Sequence, residues 1–356
     1  MDRDSPCDSD SPTCVEAAML RTAARRRCAI GLFSALLAWL GGFTGLALAG
    51  ISQMRGETAA DRAIAAATRA IESGLFKGSR LARIYAGRGT RLTEKGDYDR
   101  AVQDFDQAIS LDPENAAWLI RRANAYLGKT DYDRAIQDYD RAITLDPQGQ
   151  SSGTITWGSN YVQHVRVNLK YWAFVGRGQT YRLKGDYDRA IDDCDQAIKL
   201  GPGLSFAYLG RASAYQAKGE FDRAIEDDDR AIELDRSSGL NSRCYHRAIG
   251  GMTQAALEDC NAALQLRPDD AQILDSRGFT YLKLGQTDRA IADYDAALRL
   301  DPKKAYSLFG RGVAKEMRGD SAGADADIAA AKAINPNIAE EMARHGVKMM
   351  EPEGAN

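Results

Sequence analysis

Two residue types recur at a spacing that could do chemistry. Arginine stands at Arg88, Arg122, Arg177, Arg211, Arg243, Arg277 and Arg311, and 16 residues after each comes an aspartate: Asp104, Asp138, Asp193, Asp227, Asp259, Asp293 and Asp327. A bare row of guanidinium groups would suit phosphate or RNA. A row of Arg–Asp pairs would instead neutralise itself and tie together the elements that carry the two rows. The charge count favours pairing. Every arginine has its aspartate, and 47 Lys+Arg against 50 Asp+Glu leave a net charge of −3, so no basic stripe remains for a nucleic acid.

Other chemistry is thinly supplied. His164, His246 and His345 are the 3 histidines, and they lie in different segments with no evident partner. No HExxH, GxSxG, phosphate-loop or GxGxxG pattern occurs, and the many aspartates of the DYDR strings lack the spacing of a calcium loop. The sequence therefore predicts no enzyme, no cofactor and no metal. The 6 cysteines form no CxxC pair.

The elements that position the paired charges are read from a repeated string. GDYDRAVQDFDQAISLDP ends at Pro113, and copies end at Pro147, Pro202, Arg236, Pro268, Pro302 and Pro336. Aligned on Ala101, Ala135, Ala190, Ala224, Ala256, Ala290 and Ala324, the intervals are 34, 55, 34, 32, 34 and 34, the 55 being 34 plus a 21-residue insertion. A fixed period of this length predicts a solenoid of helix pairs. With the aligned alanine as position 20 of each unit, helix A has a small residue at position 8 and helix B has small residues at 20 and 27, which lets the pair approach closely. Glycine breaks the chain between the helices (Gly96, Gly185, Gly219, Gly251, Gly285, Gly319), and proline closes helix B. Positions 7 and 23 then face each other across an antiparallel pair, so the arginines and aspartates are expected to form a ladder. Cys244 at position 8 and Cys260 at position 24 sit on facing helices of one unit. They read as small buried hydrophobes like Cys194, or as a disulfide if the domain lies in an oxidising compartment.

The period, the small residues of both helices, the aromatic four positions after the aligned alanine, the closing proline and the turn string GDYDRAI resemble the tetratricopeptide repeat (TPR) family over residues 82–338. The resemblance implies an all-α fold, a right-handed α-solenoid of antiparallel helix pairs. Units 1–2 take 82–149 and units 3–7 take 171–336, with an insertion at 150–170 and a capping helix and tail at 337–356. Unit four departs from the pattern at Asp228 and Arg236, and looser packing is expected there. The family also implies a groove lined by helix A positions 2, 5, 9, 12 and 13 that takes a segment of another protein. Here those positions hold Trp172, Val175, Phe206, Leu209, Tyr245, Phe279, Tyr306 and Phe309, which would suit a hydrophobic peptide unless the rings pack against neighbouring helices. The two-carboxylate clamp of chaperone-binding members is missing: unit one has Ala86 and Thr90, unit two Ile120 and Asn124.

Three segments stand outside the repeats. Residues 28–51 carry no charge over 24 positions and follow Arg25, Arg26 and Arg27. At 1.5 Å per residue the run spans a bilayer core of about 30 Å. It reads as a transmembrane helix with its N-terminus cytoplasmic and the repeats periplasmic or extracytoplasmic, as a signal peptide cleaved near Ala49, or as a buried helix. Residues 1–27 read as a disordered leader, and 52–81 as a linker with a degenerate half-repeat. In the insertion, alternation around Trp157 and Tyr161 predicts a short hairpin, or else a longer helix A for unit three. These rings are expected to fold back on the groove or meet a partner. The reading is a membrane-anchored interaction scaffold or assembly adaptor of a bacterial envelope. The alternatives are a regulatory or substrate-recruiting subunit of an enzyme whose catalytic chain is separate, and a glycan-binding solenoid.

Overall fold

The computed structural model describes residues 58–146, 148–149, 152–153 and 167–348. By internal contacts the chain divides into residues 1–63 and 64–356. The described part of the first unit begins at Thr58, whose hydroxyl accepts from the Asp61 N–H at 3.2 Å and so caps α1 (Ala59–Glu72).

The second unit is built from helix pairs. Helices A are α2 (Gly78–Glu94), α4 (Ala116–Gly128), α6 (Leu169–Leu183), α8 (Ser205–Ala217), α10 (Arg236–Ile249), α12 (Ala271–Lys283) and α14 (Ala305–Met317). Helices B are α3 (Tyr98–Leu111), α5 (Tyr132–Leu145), α7 (Tyr187–Leu200), α9 (Phe221–Leu234), α11 (Thr253–Leu266), α13 (Thr287–Leu300) and α15 (Ser321–Ile334), and α16 (Ile338–Arg344) follows. Each helix A packs on its own helix B and, after the first, on the helix B before it. Successive helices A also touch each other, whereas successive helices B make marginal contact at most. The A helices therefore lie on the tighter radius of the stack, and the face they share is its inner, groove-forming face.

Local chemistry explains the regularity. Asp97, Asp131, Asp186 and Asp320 each accept the backbone N–H three residues on, and so cap α3, α5, α7 and α15. The turn before each helix B needs a left-handed residue. Glycine supplies it with φ between 69° and 88° in six units, and Thr130 adopts φ 58° in unit two. Alanines at positions 20 and 27 (Ala101 and Ala108, Ala224 and Ala231) are fully buried, which is what brings the helices close. The core runs along the stack as linked clusters, the largest joining units five to seven and α16 through Tyr294, Phe309, Ile338 and Met342.

Four findings bear on the sequence reading. In unit four Asp228 is fully buried, with Oδ2 2.7 Å from His246 Nδ1 on the next helix A and Oδ1 without a partner. The residue that replaced an aromatic ring thus found a polar partner. Where Arg236 replaces proline, Asp235 ends α9 and caps α10 directly, through the Ser238 N–H. This short junction presses Gly239 on the backbone of α9, where a Cβ would come within 2.4 Å of Ile232 N. At the insertion, Ser152–Gly153 pairs antiparallel with Val167–Asn168, forming strands β1 and β2, and Asn168 then caps α6. Finally, among the described residues no helix is long and apolar enough to cross a membrane. The expected leader at 1–27, the apolar run at 28–51 and the insertion rings Trp157 and Tyr161 all lie outside the described residues.

Candidate functional site

Every arginine of the repeated row meets the aspartate 16 residues on. In unit one Arg88 Nε donates to Asp104 Oδ2 at 2.8 Å and Nη2 to Oδ1 at 2.7 Å. The same two-pronged geometry recurs at Arg122–Asp138, Arg177–Asp193, Arg211–Asp227, Arg243–Asp259, Arg277–Asp293 and Arg311–Asp327. It matches the planar fork of guanidinium to the two carboxylate oxygens.

The remaining nitrogen, Nη1, carries a bond that the sequence reading missed. Arg122 reaches back to Asp106 of unit one at 2.6 Å, and Arg211 to Asp195 at 2.5 Å. Arg177 reaches Asp140, Arg243 Asp229, Arg277 Asn261 and Arg311 Asp295. In unit one, Arg88 Nη1 instead finds the Thr68 hydroxyl of α1 at 3.0 Å. From unit two on, each guanidinium thus ties its own unit to the one before. The signal was present as a recurring D-x-D: DFD, DYD, DCD, DDD and DYD, with Asn261 in unit five and Ala329 at the last position, where no further unit draws on it. Hydrogen bonds donated to their aspartates push Arg122, Arg211 and Arg243 above the ordinary guanidinium range. Burial pushes the Asp193 and Asp227 carboxyls up despite their arginines. All seven guanidinium groups of the row are bonded within the protein.

The inner face is different in each unit. Trp172, Val175, Phe279 and Phe309 are buried and serve as packing. Phe206 and Leu209 are half-buried, Phe206 lying 5.1 Å from the Trp172 ring, and Tyr306 is exposed. The rings of Tyr245 and Phe279 are 5.5 Å apart. Units four to seven bound a cavity of about 570 Å³ on this face. Phe206 and Leu209 stand at one end, and Tyr306 and Met342 of α16 at the other.

Between these ends the apolar side chains Tyr245, Ile273 and Phe279 alternate with polar ones. Ser237, Ser238, Asn241 and Ser242 of α10 face the cavity, as do Gln272, Asp275 and Ser276 of α12. Asp275 takes a hydrogen bond from the Ser307 hydroxyl at 2.5 Å, and Lys304 Nζ stands off at 3.8 Å. Burial pushes the Asp275 carboxyl up, against the pull of Lys304 and Ser307. Ser237 Oγ and Asn241 Oδ1 are buried without a hydrogen-bond partner. The sequence reading listed rings and passed over these positions. They were legible as the polar residues Asn241 and Asp275 at position 5, where units three, four and seven carry Val175, Leu209 and Phe309.

The C-terminal segment closes the far end. His345 Nδ1 lies 3.0 Å from Tyr245 Oη, Lys283 Nζ donates to the His345 carbonyl at 3.3 Å, and Tyr306 donates to Glu341. His246 and His345 therefore both have partners, which the sequence had not shown. Burial, with the positive charges of Arg344, Arg182 and Lys283, lowers the His345 pKa, and Glu341 opposes this. Cys244 and Cys260 are joined by a disulfide between α10 and α11 with Cα atoms 5.4 Å apart, so they are not merely small buried hydrophobes. Cys194, which faces Gly178 in unit three, is a buried free thiol. Among the described residues no three His, Cys, Asp or Glu side chains converge as metal ligands.

Comparison with known proteins agrees with this architecture. Tetratricopeptide repeat models match residues 86–149, 171–204 and 207–238, and a TPR repeat model matches 280–319. The polar residues Asn241 and Asp275 fall between matched segments. A chain of the APC/C hetero-tetramer Cut9–Hcn1 superposes with a TM-score of 0.54 at 18% identity, over 87% of this chain and 57% of that one. A tetratricopeptide repeat protein from Parabacteroides merdae superposes with a TM-score of 0.53 at 17% identity, over 75% of this chain and 99% of that one. No curated protein matches in sequence. The helix pairs, their period and these matches together identify the repeated units of this chain as tetratricopeptide repeats.

Proposed function

We propose that this chain is a non-catalytic interaction scaffold that holds a segment of another protein on the inner face of units four to seven. The observation that carries the reading is the cavity there. It is bounded by half-buried and exposed apolar side chains at its ends and by unpaired polar atoms at its middle, a lining suited to a ligand with both apolar and polar groups. The similar Cut9–Hcn1 assembly is a hetero-tetramer, which agrees with a role in holding chains together.

The proposal places the scaffold beside a membrane. Residues 28–51 have the length and composition of a span, and Arg25, Arg26 and Arg27 hold its start in the cytoplasm. The repeats then lie outside the cytoplasm, and the Cys244–Cys260 disulfide supports an oxidising compartment.

The test is chemical crosslinking in membranes of cells that express the tagged full-length chain, followed by affinity capture. Wild type is compared with Leu209→Glu, which puts a charge at the mouth of the cavity. A protein captured by wild type and lost with the variant supports the reading. Equal capture by both moves the site elsewhere, and retention on isolated peptidoglycan with no protein partner contradicts it.

A further inference from the structure

The polar part of the cavity gathers Ser237, Asn241, Asp275 and Ser276, with Arg267 and Lys304 at its edge. Asn241 Oδ1 is buried and unpartnered. Ser237 is buried, and its hydroxyl oxygen is likewise unpartnered. Ser276 donates its hydroxyl proton to the Gln272 carbonyl at 3.0 Å, which leaves its lone pairs for another donor. Asp275, which accepts from Ser307, adds a carboxyl group to the lining. Its one cation within the protein, Lys304, stands at 3.8 Å, beyond a hydrogen bond. Buried polar atoms without partners are costly, so Ser237 Oγ and Asn241 Oδ1 around one space point to a polar group that arrives from outside, and the Asp275 carboxyl beside them favours one that donates. The apolar side chains that flank them, Phe206 and Tyr306, can cover a long aliphatic stem while its charged end goes to the acceptors.

We infer that this cavity is a subsite for a lysine or arginine side chain of the bound segment, its cationic group donating to Asp275 and Asn241 and its stem lying against the apolar ends. The inference rests on the groove reading given above and sharpens it. It gives the partner a sign: a basic residue where the chaperone-binding members of this repeat family take carboxylates. In the bound state the incoming cation takes the acceptor facing that Lys304 now only approaches.

The experiment is a positional-scanning array of short immobilised peptides with randomised flanks and one fixed central residue: lysine, arginine, norleucine or glutamate. The probe is the tagged full-length chain in detergent micelles, as wild type, Asp275→Asn and Lys304→Gln. Circular dichroism and an intact Cys244–Cys260 bond establish that each is folded. A hydrogen bond to a charged group corresponds to a preference of about tenfold or more for the basic residues. Wild type should show it, Asp275→Asn should abolish it, and Lys304→Gln should increase it by removing the competing cation. Should Asp275→Asn fail to fold, the increase with Lys304→Gln decides alone, and an unchanged preference there overturns the inference. Peptide binding with no preference for basic residues, or a preference that survives Asp275→Asn, overturns the inference and leaves the groove reading standing. A folded chain that binds no peptide overturns both.

Discussion

The ladder and the groove are carried by the same seven helices A, and they differ in one respect. Position 7 is arginine in every unit and meets the same partner in the same two-pronged way, from Arg88–Asp104 to Arg311–Asp327. Position 5 of the five C-terminal units is Val175, Leu209, Asn241, Asp275 and Phe309. A solenoid is held by contacts between neighbours, so each unit must repeat the chemistry that joins it to the next. A bound segment differs along its length, so the surface that reads it must differ too. Repetition in this chain marks what builds the stack, and on the proposal made above departure from repetition marks what the stack recognises.

The comparison breaks first, if it breaks, on stability. Asp193→Ala leaves Arg177 without its two-pronged partner and should cost about 3–5 kcal/mol, whereas Asn241→Ala removes an unpartnered oxygen and should cost under about 1 kcal/mol. Urea denaturation of the two variants at one pH checks this, and similar costs would mean that ladder and groove are not separate in kind. Next comes the disulfide. It closes a loop of 16 residues in unit five, so reduction should cost about 3 kcal/mol, with no comparable effect from blocking the buried thiol of Cys194. Melting with and without reductant gives the difference, and mass analysis after alkylation counts the free thiols. Smaller again is the turn of unit two. Thr130→Gly gives the left-handed φ of 58° a residue that adopts it freely and should gain about 0.5–1 kcal/mol.

The smallest effect concerns the closed end of the groove. The folded-state pKa of His345 is depressed, so its contact with Tyr245 contributes fully above the unfolded histidine value of about 6.5 and weakens as pH falls below it. Amide hydrogen exchange across 338–348 should quicken at pH 5.5 relative to pH 7.5, after correction for the intrinsic pH dependence. No change would mean that His345 does not help to hold the segment.

The helix pairs were legible because their causes are local: a period, a glycine turn, an aspartate cap and small residues where helices touch. The Arg–Asp pairs were legible for the same reason, as two rows at one fixed offset. The second bond of each arginine was harder to read. It joins residues of different units, and only the D-x-D spacing hinted at it. Asp228 shows why a departure is hard to price from a unit taken alone, since its partner His246 belongs to the next one. The groove was half legible. Rings at positions 2, 5 and 9 attract notice, but whether a ring such as Phe309 faces solvent or the next helix depends on the curvature of the stack. The polar lining was passed over because serine and asparagine on a helix usually signify a solvated face.

The central claim is that units four to seven recognise and the ladder only builds. Its most direct measurement is site-specific photocrosslinking in living cells. A photoreactive residue replaces Leu209 on the cavity or, in a second strain, the exposed Leu266 at the end of α11, outside the cavity lining. The account predicts a protein adduct of defined mass from position 209 and none from 266, with the 209 adduct lost in Asp275→Asn. An adduct from 266 with none from 209 would contradict it.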